Sequence, residues 1–349
     1  MRTRTSLIIP AVALGVLFTG CSAPATPKQV LADALAKNAD ASNTSMTMKL
    51  DTTADDLTKL IKAASGDESA QTMQQIEMMT RILPKLTISA SAHAHSGAVS
   101  AVTDPAKADA AFTIAVDGKP LEMRWVDAQA YLRADMEGLG QATGAFTATQ
   151  LKMMLADLAS EMPWVNEVLN GGWVTLDKAT TDKLLADLRE EIAMAAEVAA
   201  TASPQPSIDP VKARDAFLDS SEVTKVDNET LKVSTDFKKF ATAIAALSDE
   251  DDLTSERVDE VSKEINDGAT VDTTYTLKDG KVVKATVDIA DMLRTFPKAD
   301  ADRPEIARIA ATEFTLNGVV EMSDADPKIE APSPATTIPA DDLERMMGR

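Results

Sequence analysis

Cysteine and histidine are almost absent from this chain, and their scarcity excludes much chemistry. The 349 residues contain one cysteine, Cys21, so no intramolecular disulfide can form. Histidine is the usual proton shuttle near neutral pH, yet both histidines, His93 and His95, lie in one short segment. The sequence also has no Gly-x-Ser-x-Gly nucleophile motif and no glycine-rich phosphate-binding loop. We therefore predict that the protein is not an enzyme and carries no cofactor.

An excess of basic residues is also lacking. The formal net charge is -20, from 35 Lys and Arg against 55 Asp and Glu. Nucleic-acid binding depends on the neutralisation of phosphates by Lys and Arg, so we predict no nucleic-acid partner. Basic segments are likewise what holds a protein flat on anionic lipid. The simplest meaning of this charge is solubility.

Aromatic residues are few, at 4% of the chain, whereas methionine occurs 16 times. The flexible thioether of methionine lets a core adapt its shape. This composition suits a cavity for acyl chains, and it suits an ordinary core equally well.

No apolar run at the N-terminus is long enough for a membrane-spanning helix, which needs about 20 apolar residues. Apolar residues 7–18 follow Arg2 and Arg4, include Pro10, and precede the small residues Thr19 and Gly20. A basic start, a short apolar run and small residues before a cut site are typical of a secretory signal peptide.

The position of Cys21 predicts lipidation. Residues 17–21, Leu-Phe-Thr-Gly-Cys, resemble a bacterial lipobox, in which the cysteine receives a diacylglyceryl group, although Phe18 stands where leucine is usual. We expect a signal peptide at 1–20 and a lipidated tether at 21–29, anchored on the extracytoplasmic side of a bacterial cell membrane. Two or more long chains make such anchoring firm, at about 0.8 kcal/mol per buried methylene. The alternative is an ordinary signal peptide with an incidental cysteine.

Asp-Gly and Asn-Gly pairs predict three β-hairpins, because these residues accept the positive backbone angles of tight turns. The pairs are Asp117-Gly118, Asp279-Gly280 and Asn317-Gly318, each between apolar runs. Further strands are predicted at residues 45–50, 86–92 and 131–133. Alternation of apolar and polar residues in these strands indicates an antiparallel sheet with one apolar face.

Apolar residues at helical spacing predict helices between the strands. These helices are expected near residues 73–83, 151–162, 180–200, 237–244 and 258–265, with Thr147 and Gln150 placed as a capping box. Together the elements predict a single α+β domain over residues 30–326, built as a curved antiparallel sheet backed by helices. A Pro-rich C-terminal tail is expected at 327–349, with extended backbone from Pro327 to Pro339.

The order of elements also carries a resemblance. A lipobox signal precedes a meander that ends in Tyr131-Leu-Arg-Ala-Asp135, then the segment Gly-Gly-Trp-Val-Thr-Leu-Asp at 171–177, then Thr-Thr-Tyr-Thr-Leu-Lys-Asp-Gly-Lys at 273–281. This layout resembles the actinobacterial LppX/LprG lipoproteins and, more distantly, the lipoprotein carrier LolA, over most of the mature chain. The resemblance implies a half-barrel closed by helices, with an apolar cavity that carries acylated lipids. The chain has additional helical material near 57–83 and 180–200, and whether these helices fill the cavity separates a lipid carrier from a scaffold.

The candidate cavity lining is the set of apolar side chains that the first hairpin projects to one side. These are Phe112, Ile114, Val116, Leu121, Met123 and Trp125. Ordinary core packing is the alternative reading of the same residues. His93 and His95 share one side of a strand, but the sequence offers no third ligand, and we predict no metal site.

Two functions follow from these observations. The first is an envelope lipoprotein that binds or carries lipids or acylated molecules, with a lipid or a lipoprotein as its ligand. The alternative is a non-enzymatic scaffold or interaction lipoprotein at the cell surface, whose cavity is filled by its own helices.

Overall fold

The computed structural model describes residues 25–66, 70–102, 104–176, 180–181, 210–247, 263, 265–298 and 303–346. The predicted signal peptide, Cys21 and most of the predicted helices at 180–200 and 258–265 lie outside these residues.

Twelve strands of the described residues form one open sheet. The strands are β1 Asn43–Asp51, β2 Leu86–Ala94, β3 Ala108–Val116, β4 Lys119–Val126, β5 Gln129–Ala134, β6 Val174–Leu176, β7 Ser221–Lys225, β8 Thr230–Asp236, β9 Thr270–Lys278, β10 Lys281–Asp288, β11 Asn317–Ser323 and β12 Thr336–Ile338. Their order across the sheet is β12-β6-β5-β4-β3-β2-β1-β11-β10-β9-β8-β7. Neighbouring strands are antiparallel, apart from the parallel pair β12 and β6.

Helices connect and cover these strands, so the fold is mixed α+β, as predicted. The helices are α1 Pro27–Ala39, α2 Ala54–Ser65, α3 Ala70–Ile82, α4 Met136–Thr143, α5 Ala148–Met154, α6 Ala156–Glu161, α7 Pro163–Leu169, α8 Pro210–Asp219, α9 Phe237–Leu247, α10 Ile289–Thr295, α11 Pro304–Ala310 and α12 Ala340–Met346.

The first two predicted hairpins are confirmed. Strands β3 and β4 join through Asp117 and Gly118, whose φ angles are 54° and 74°. Strands β9 and β10 join through Asp279 and Gly280, at 53° and 72°. Both turns therefore use the positive φ that selects Asp-Gly.

The third predicted hairpin is wrong. Asn317 and Gly318 open strand β11, which pairs with β1, and neither residue has a positive φ. The preceding Phe314 and Leu316 are buried against helices α2 and α10 rather than paired as a strand. A Cβ on Gly318 would lie 3.2 Å from Cδ1 of Ile289, so this glycine allows close packing of α10. The apolar run before Asn317 packs into a core beneath helices and forms no strand. The Asn-Gly pair therefore has no preceding strand with which to form a hairpin.

Helix α1 is capped by its own sequence and packs far along the chain. Thr26 and Gln29 form a reciprocal capping box, and Pro27 starts the helix. Leu31 and Ala34 are buried against the apolar side of strands β8, β9 and β10. Helix α1 therefore covers the apolar side of strands β8, β9 and β10.

The helical pattern predicted at 151–162 is divided into short helices α5 and α6, followed by α7. The capping box of Thr147 and Gln150 is present at the start of α5. Helix α5 ends at Met154, because the next residue, Leu155, leaves the helical conformation with a φ of -102° and a ψ of 8°. Pro163 opens α7. Buried Met162 and Val165 hold the three helices together as one small cluster.

The Pro-rich segment from residue 327 includes elements beyond the extended chain that was predicted there. After extended backbone, it adds β12 beside β6 and then helix α12. Arg124 donates to the carbonyl of Glu330 at 3.0 Å, and Nε1 of Trp164 donates to Asp342 at 3.2 Å. The end of the chain is therefore tied to strand β4, strand β6 and helix α7.

Candidate functional site

Strand register builds the apolar face of the sheet in rows. One row crosses β1 to β4 through side chains that are direct partners, and a second parallel row lies nearer the start of β1. The first row is Met46, Ala90, Phe112 and Met123; the second is Thr44, Ala92, Ala110 and Trp125. Because side chains alternate along a strand, both rows project to the same side.

These two rows line an open groove of about 360 Å³, which we call the apolar groove. Ala90, Ala92 and Ala110 supply small side chains, and the space above them is bounded by large ones such as Phe112 and Trp125. The volume falls within the range of roughly 300–1,000 Å³ that small-molecule sites occupy.

Large apolar side chains on this part of the sheet are exposed. Met123 is 51% exposed, and Met48, Phe112, Leu121 and Leu132 are each between 37% and 40% exposed. All five lie on the apolar face, on strands β1, β3, β4 and β5. A contiguous exposed apolar surface of this kind marks a binding surface more often than scattered single residues do.

The structure separates the six residues proposed from the sequence. Phe112, Met123 and Trp125 line the apolar groove. Ile114 and Leu121 are register partners in the adjoining row. Val116 is 6% exposed, at the turn end of β3, and so belongs to the core rather than to an open surface.

Sequence reasoning missed the contribution of β1 and β2 to the groove. Met46 faces it from β1, and Ala90 and Ala92 face it from β2. The alternation of Met46, Met48 and Leu50 was the available signal, because it places three apolar side chains on one side of a predicted strand.

The other half of the apolar face is covered. Leu231, Val233, Leu277 and Val282 of strands β8 to β10 are buried under helices α1 and α8. Tyr275 belongs to the same half, and burial raises the pKa of its hydroxyl. Among the residues that the structure describes, the exposed large apolar side chains of this face lie on strands β1, β3, β4 and β5.

A second concavity, which we call the polar cleft, lies where β1 begins, β11 ends and the β9–β10 turn approaches them. Its volume is about 290 Å³. Its lining is Asn38, Ala41, Asn43, Thr44, Lys278, Asp279, Lys281, Val282, Val283, Met322, Ser323 and Asp324. The cleft thus differs from the groove in chemistry, since it carries amide, ammonium and carboxylate groups.

Two contacts shape the wall of the polar cleft. The side-chain amide of Asn38 donates to the carbonyl of Val282 at 2.8 Å, and the Val282 amide donates back to Asn38 Oδ1 at 3.0 Å. Lys281 donates to the carboxylate of Asp324, which lowers the pKa of that carboxyl. Helix α1 is thereby joined to the start of β10, at an irregularity in the β9–β10 pairing.

The opposite face of the sheet is polar and contains a compact charged cluster. Glu122 is 9% exposed and accepts from Arg124 at 2.8 Å and from Arg133 at 2.7 Å. Both guanidinium groups lie over the ring of Trp173, at 4.7 and 4.8 Å from its centroid. These contacts link β4 and β5 to the segment before β6 and stabilise this part of the sheet.

His93 and His95 are engaged in separate hydrogen bonds. His93 Nδ1 lies 2.6 Å from Asn43 Oδ1, and His95 Nε2 lies 3.1 Å from a carboxylate oxygen of Asp109. The described residues contain no group of three or more side chains placed to hold a metal ion.

No helix in the part of the chain that the structure describes is both long enough and apolar enough to cross a membrane.

Comparisons with known proteins give no match in sequence and a weak similarity in structure. No protein-family model and no curated protein sequence matches it. Among solved structures, it is similar to the crystal structure of LprF from Mycobacterium bovis, at 11% sequence identity and a TM-score of 0.29, over 88% of this chain and 97% of that chain.

Proposed function

We propose that this protein is a non-enzymatic envelope lipoprotein that holds the acyl chain of a lipid or acylated molecule in the apolar groove. The observation that carries the proposal is the open apolar face between β1 and β5, where Phe112 and Met123 remain 38% and 51% exposed. An apolar guest would remove these side chains from water.

The energetics favour an aliphatic guest. Each buried methylene contributes about 0.8 kcal/mol, so a long chain offsets much of its cost of leaving a membrane. Methionine side chains adapt to a flexible guest, and Met46 and Met123 lie on opposite sides of the groove. Selectivity from the groove alone is loose, because apolar contacts distinguish length and volume better than chemical type.

The location belongs to the same proposal. Cys21 would bear the lipid that anchors the chain to the extracytoplasmic side of a bacterial membrane, and the residues between Cys21 and helix α1 would act as the tether. A half-barrel curvature of the sheet would place the apolar groove on its inner side.

The alternative, a scaffold lipoprotein with a self-filled cavity, expects helices packed onto the whole apolar face. Helices α1 and α8 do cover strands β8 to β10. The exposure of Met48, Leu121 and Leu132 argues for the open arrangement on the other half.

Native mass spectrometry tests the proposal directly. The chain carrying Cys21→Ser, purified without detergent, is expected to show a bound species that organic extraction releases as lipid. Clean spectra of ligand-free protein, together with no uptake of added lipid, would support the scaffold instead.

A pair of matched variants locates the site. Met123→Lys places a charge in the groove, whereas Met154→Lys makes the same change on helix α5 at a side chain that is 77% exposed. We expect Met123→Lys to lose most of the lipid bound and Met154→Lys to retain it. Equal retention by both variants would remove the groove as the binding site.

A further inference from the structure

The polar cleft and the apolar groove adjoin each other on the sheet. Thr44 lines both of them. Met322 of the cleft lies on β11 directly opposite Met46 of the groove on β1. A single molecule with one apolar end and one polar end can therefore contact both concavities.

Several acceptors in the cleft are already used. The Asp324 carboxylate accepts from Lys281, and the Asn38 amide is paired in both directions with the backbone of Val282. Asn43 Oδ1 is engaged with His93. These groups have little capacity left for a hydrogen-bond donor from a ligand.

Two ammonium groups remain available. Lys278 lines the cleft, and Lys37 reaches the β9–β10 turn, where its Nζ lies 2.6 Å from the position that a Cβ on Gly280 would take. Within the residues that the structure describes, neither lysine forms an ion pair. Because no carboxylate of the described residues holds either ammonium group, both side chains can turn toward an anion.

The local charge has the sign that an anion requires. Lys37, Lys278 and Lys281 stand against two carboxylates, Asp279 in the exposed turn and the paired Asp324. The two signs are equal among the residues that line the cleft, and Lys37 beside the β9–β10 turn adds one positive charge in a chain whose formal net charge is -20. Lysines without an ion-pair partner attract an anion, so this position suits a negative group despite the net charge of the chain.

We propose that the polar cleft binds the anionic headgroup, a carboxylate or a phosphate, of an amphiphile whose acyl chain lies in the apolar groove. This inference rests on the proposed function and adds the chemical class of the ligand. The groove contributes most of the affinity through area, and the ammonium groups of Lys37 and Lys278 select among molecules with the same chain.

A matched pair of probes tests the headgroup. A pyrene-labelled long-chain fatty acid and its methyl ester share one acyl chain and differ in charge. With the Cys21→Ser chain, we expect the acid to bind about tenfold more tightly than the ester, which is the size of one charge-assisted hydrogen bond. The double variant Lys37→Ala, Lys278→Ala is expected to abolish this preference and leave ester binding unchanged.

Lys284→Ala supplies the control, because Lys284 lies on the same hairpin, is exposed, and sits opposite Glu321 of β11 on the polar side. If this variant keeps the preference for the acid over the ester, the result supports the cleft, and an equal loss in both variants overturns it in favour of general surface charge.

A lysophosphatidic acid of the same chain length distinguishes the phosphate source from the carboxylate source, since the tighter binder of the two identifies the headgroup. Equal binding of acid and ester to the parent chain overturns the headgroup inference and leaves the groove intact. Failure of every probe to bind overturns the proposed function as well.

Discussion

Glu122 shows how a single buried carboxylate organises the polar side of the sheet. Its two oxygens accept from Arg124 and Arg133, and the same guanidinium groups cover Trp173. Arg124 also holds the carbonyl of Glu330. Loss of the carboxylate would leave two positive charges close together with incomplete pairing.

We therefore expect Glu122→Ala to lower the free energy of unfolding by about 1.5–3 kcal/mol, the range for charged hydrogen bonds to buried groups. The matched control is Glu321→Ala, which removes an exposed pair with Lys49 and should cost about 1 kcal/mol or less. Urea unfolding followed by tryptophan fluorescence measures both. Equal losses would show that the Glu122 cluster contributes no more than a surface pair.

Asp272 predicts a dependence of stability on pH. Burial alone raises the pKa of this carboxyl, but hydrogen bonds from Lys232 and Ser234, with the charge of Lys232, outweigh burial and lower it. Because the pKa in the folded state is depressed, this stabilisation is present above the unfolded value of about 3.9 and is lost as pH falls through the folded value.

We accordingly expect Asp272→Asn to be less stable than the parent at pH 7, with the difference shrinking as the pH is lowered below about 4. Urea unfolding at a series of pH values measures this difference. A difference that stays constant down to pH 2 would contradict the role given to the ionised carboxylate.

At the scale of elements, two glycines distinguish a true turn from a strand. Gly118 has a φ of 74° and no atom near the place of a Cβ, so Gly118→Ala should cost about 1–2 kcal/mol through backbone conformation alone. Gly318 has no such φ, and its alanine variant needs only a small shift of the Ile289 methyl group. We expect Gly318→Ala to change stability by no more than about 0.5 kcal/mol. Equal destabilisation by both changes would instead support a tight turn at Asn317-Gly318.

The Asn38 side chain joins helix α1 to strand β10, because its amide pairs with the backbone of Val282 as a residue of a neighbouring strand would. Its two hydrogen bonds with Val282 connect residues 244 positions apart. We expect Asn38→Ala to destabilise the protein by about 1–3 kcal/mol, because the Val282 amide and carbonyl lose their partner. Thermal unfolding measures the effect, and Asn228→Ala in the exposed β7–β8 turn provides the comparison.

At the scale of the whole molecule, the C-terminal segment closes the edge of the sheet at β6. A chain that ends after Asp326 loses β12, with buried Ile338, and the bond between Trp164 and Asp342. We expect this truncation to lower stability by at least about 1.5–3 kcal/mol, the contribution of one buried isoleucine side chain. A chain that ends after Met346 keeps every described residue and serves as the control; equal melting temperatures would show that the segment is an unattached tail.

Much of the architecture could be predicted from local patterns. Alternation identified β1 to β5, and Asp-Gly turns placed the β3–β4 and β9–β10 hairpins, because turn chemistry and strand period act within a few residues. The capping box at Thr147 was also visible. The end of β3 was the local failure within the candidate site, since the alternation that correctly aligned Val116 with Phe112 could not show that Val116 is buried.

The sequence by itself determined the strand period, two of the tight turns, the strongly negative charge and the apolar side of the strands that it predicted. Only the tertiary structure decided that Asn317-Gly318 lies within a strand, and that α1 covers β8 to β10 while the face from β1 to β5 stays open. The physical reason is the range of the interactions. Local backbone preferences act between neighbours, whereas burial depends on segments such as Asn38 and Val282 that meet only when the whole sheet has formed.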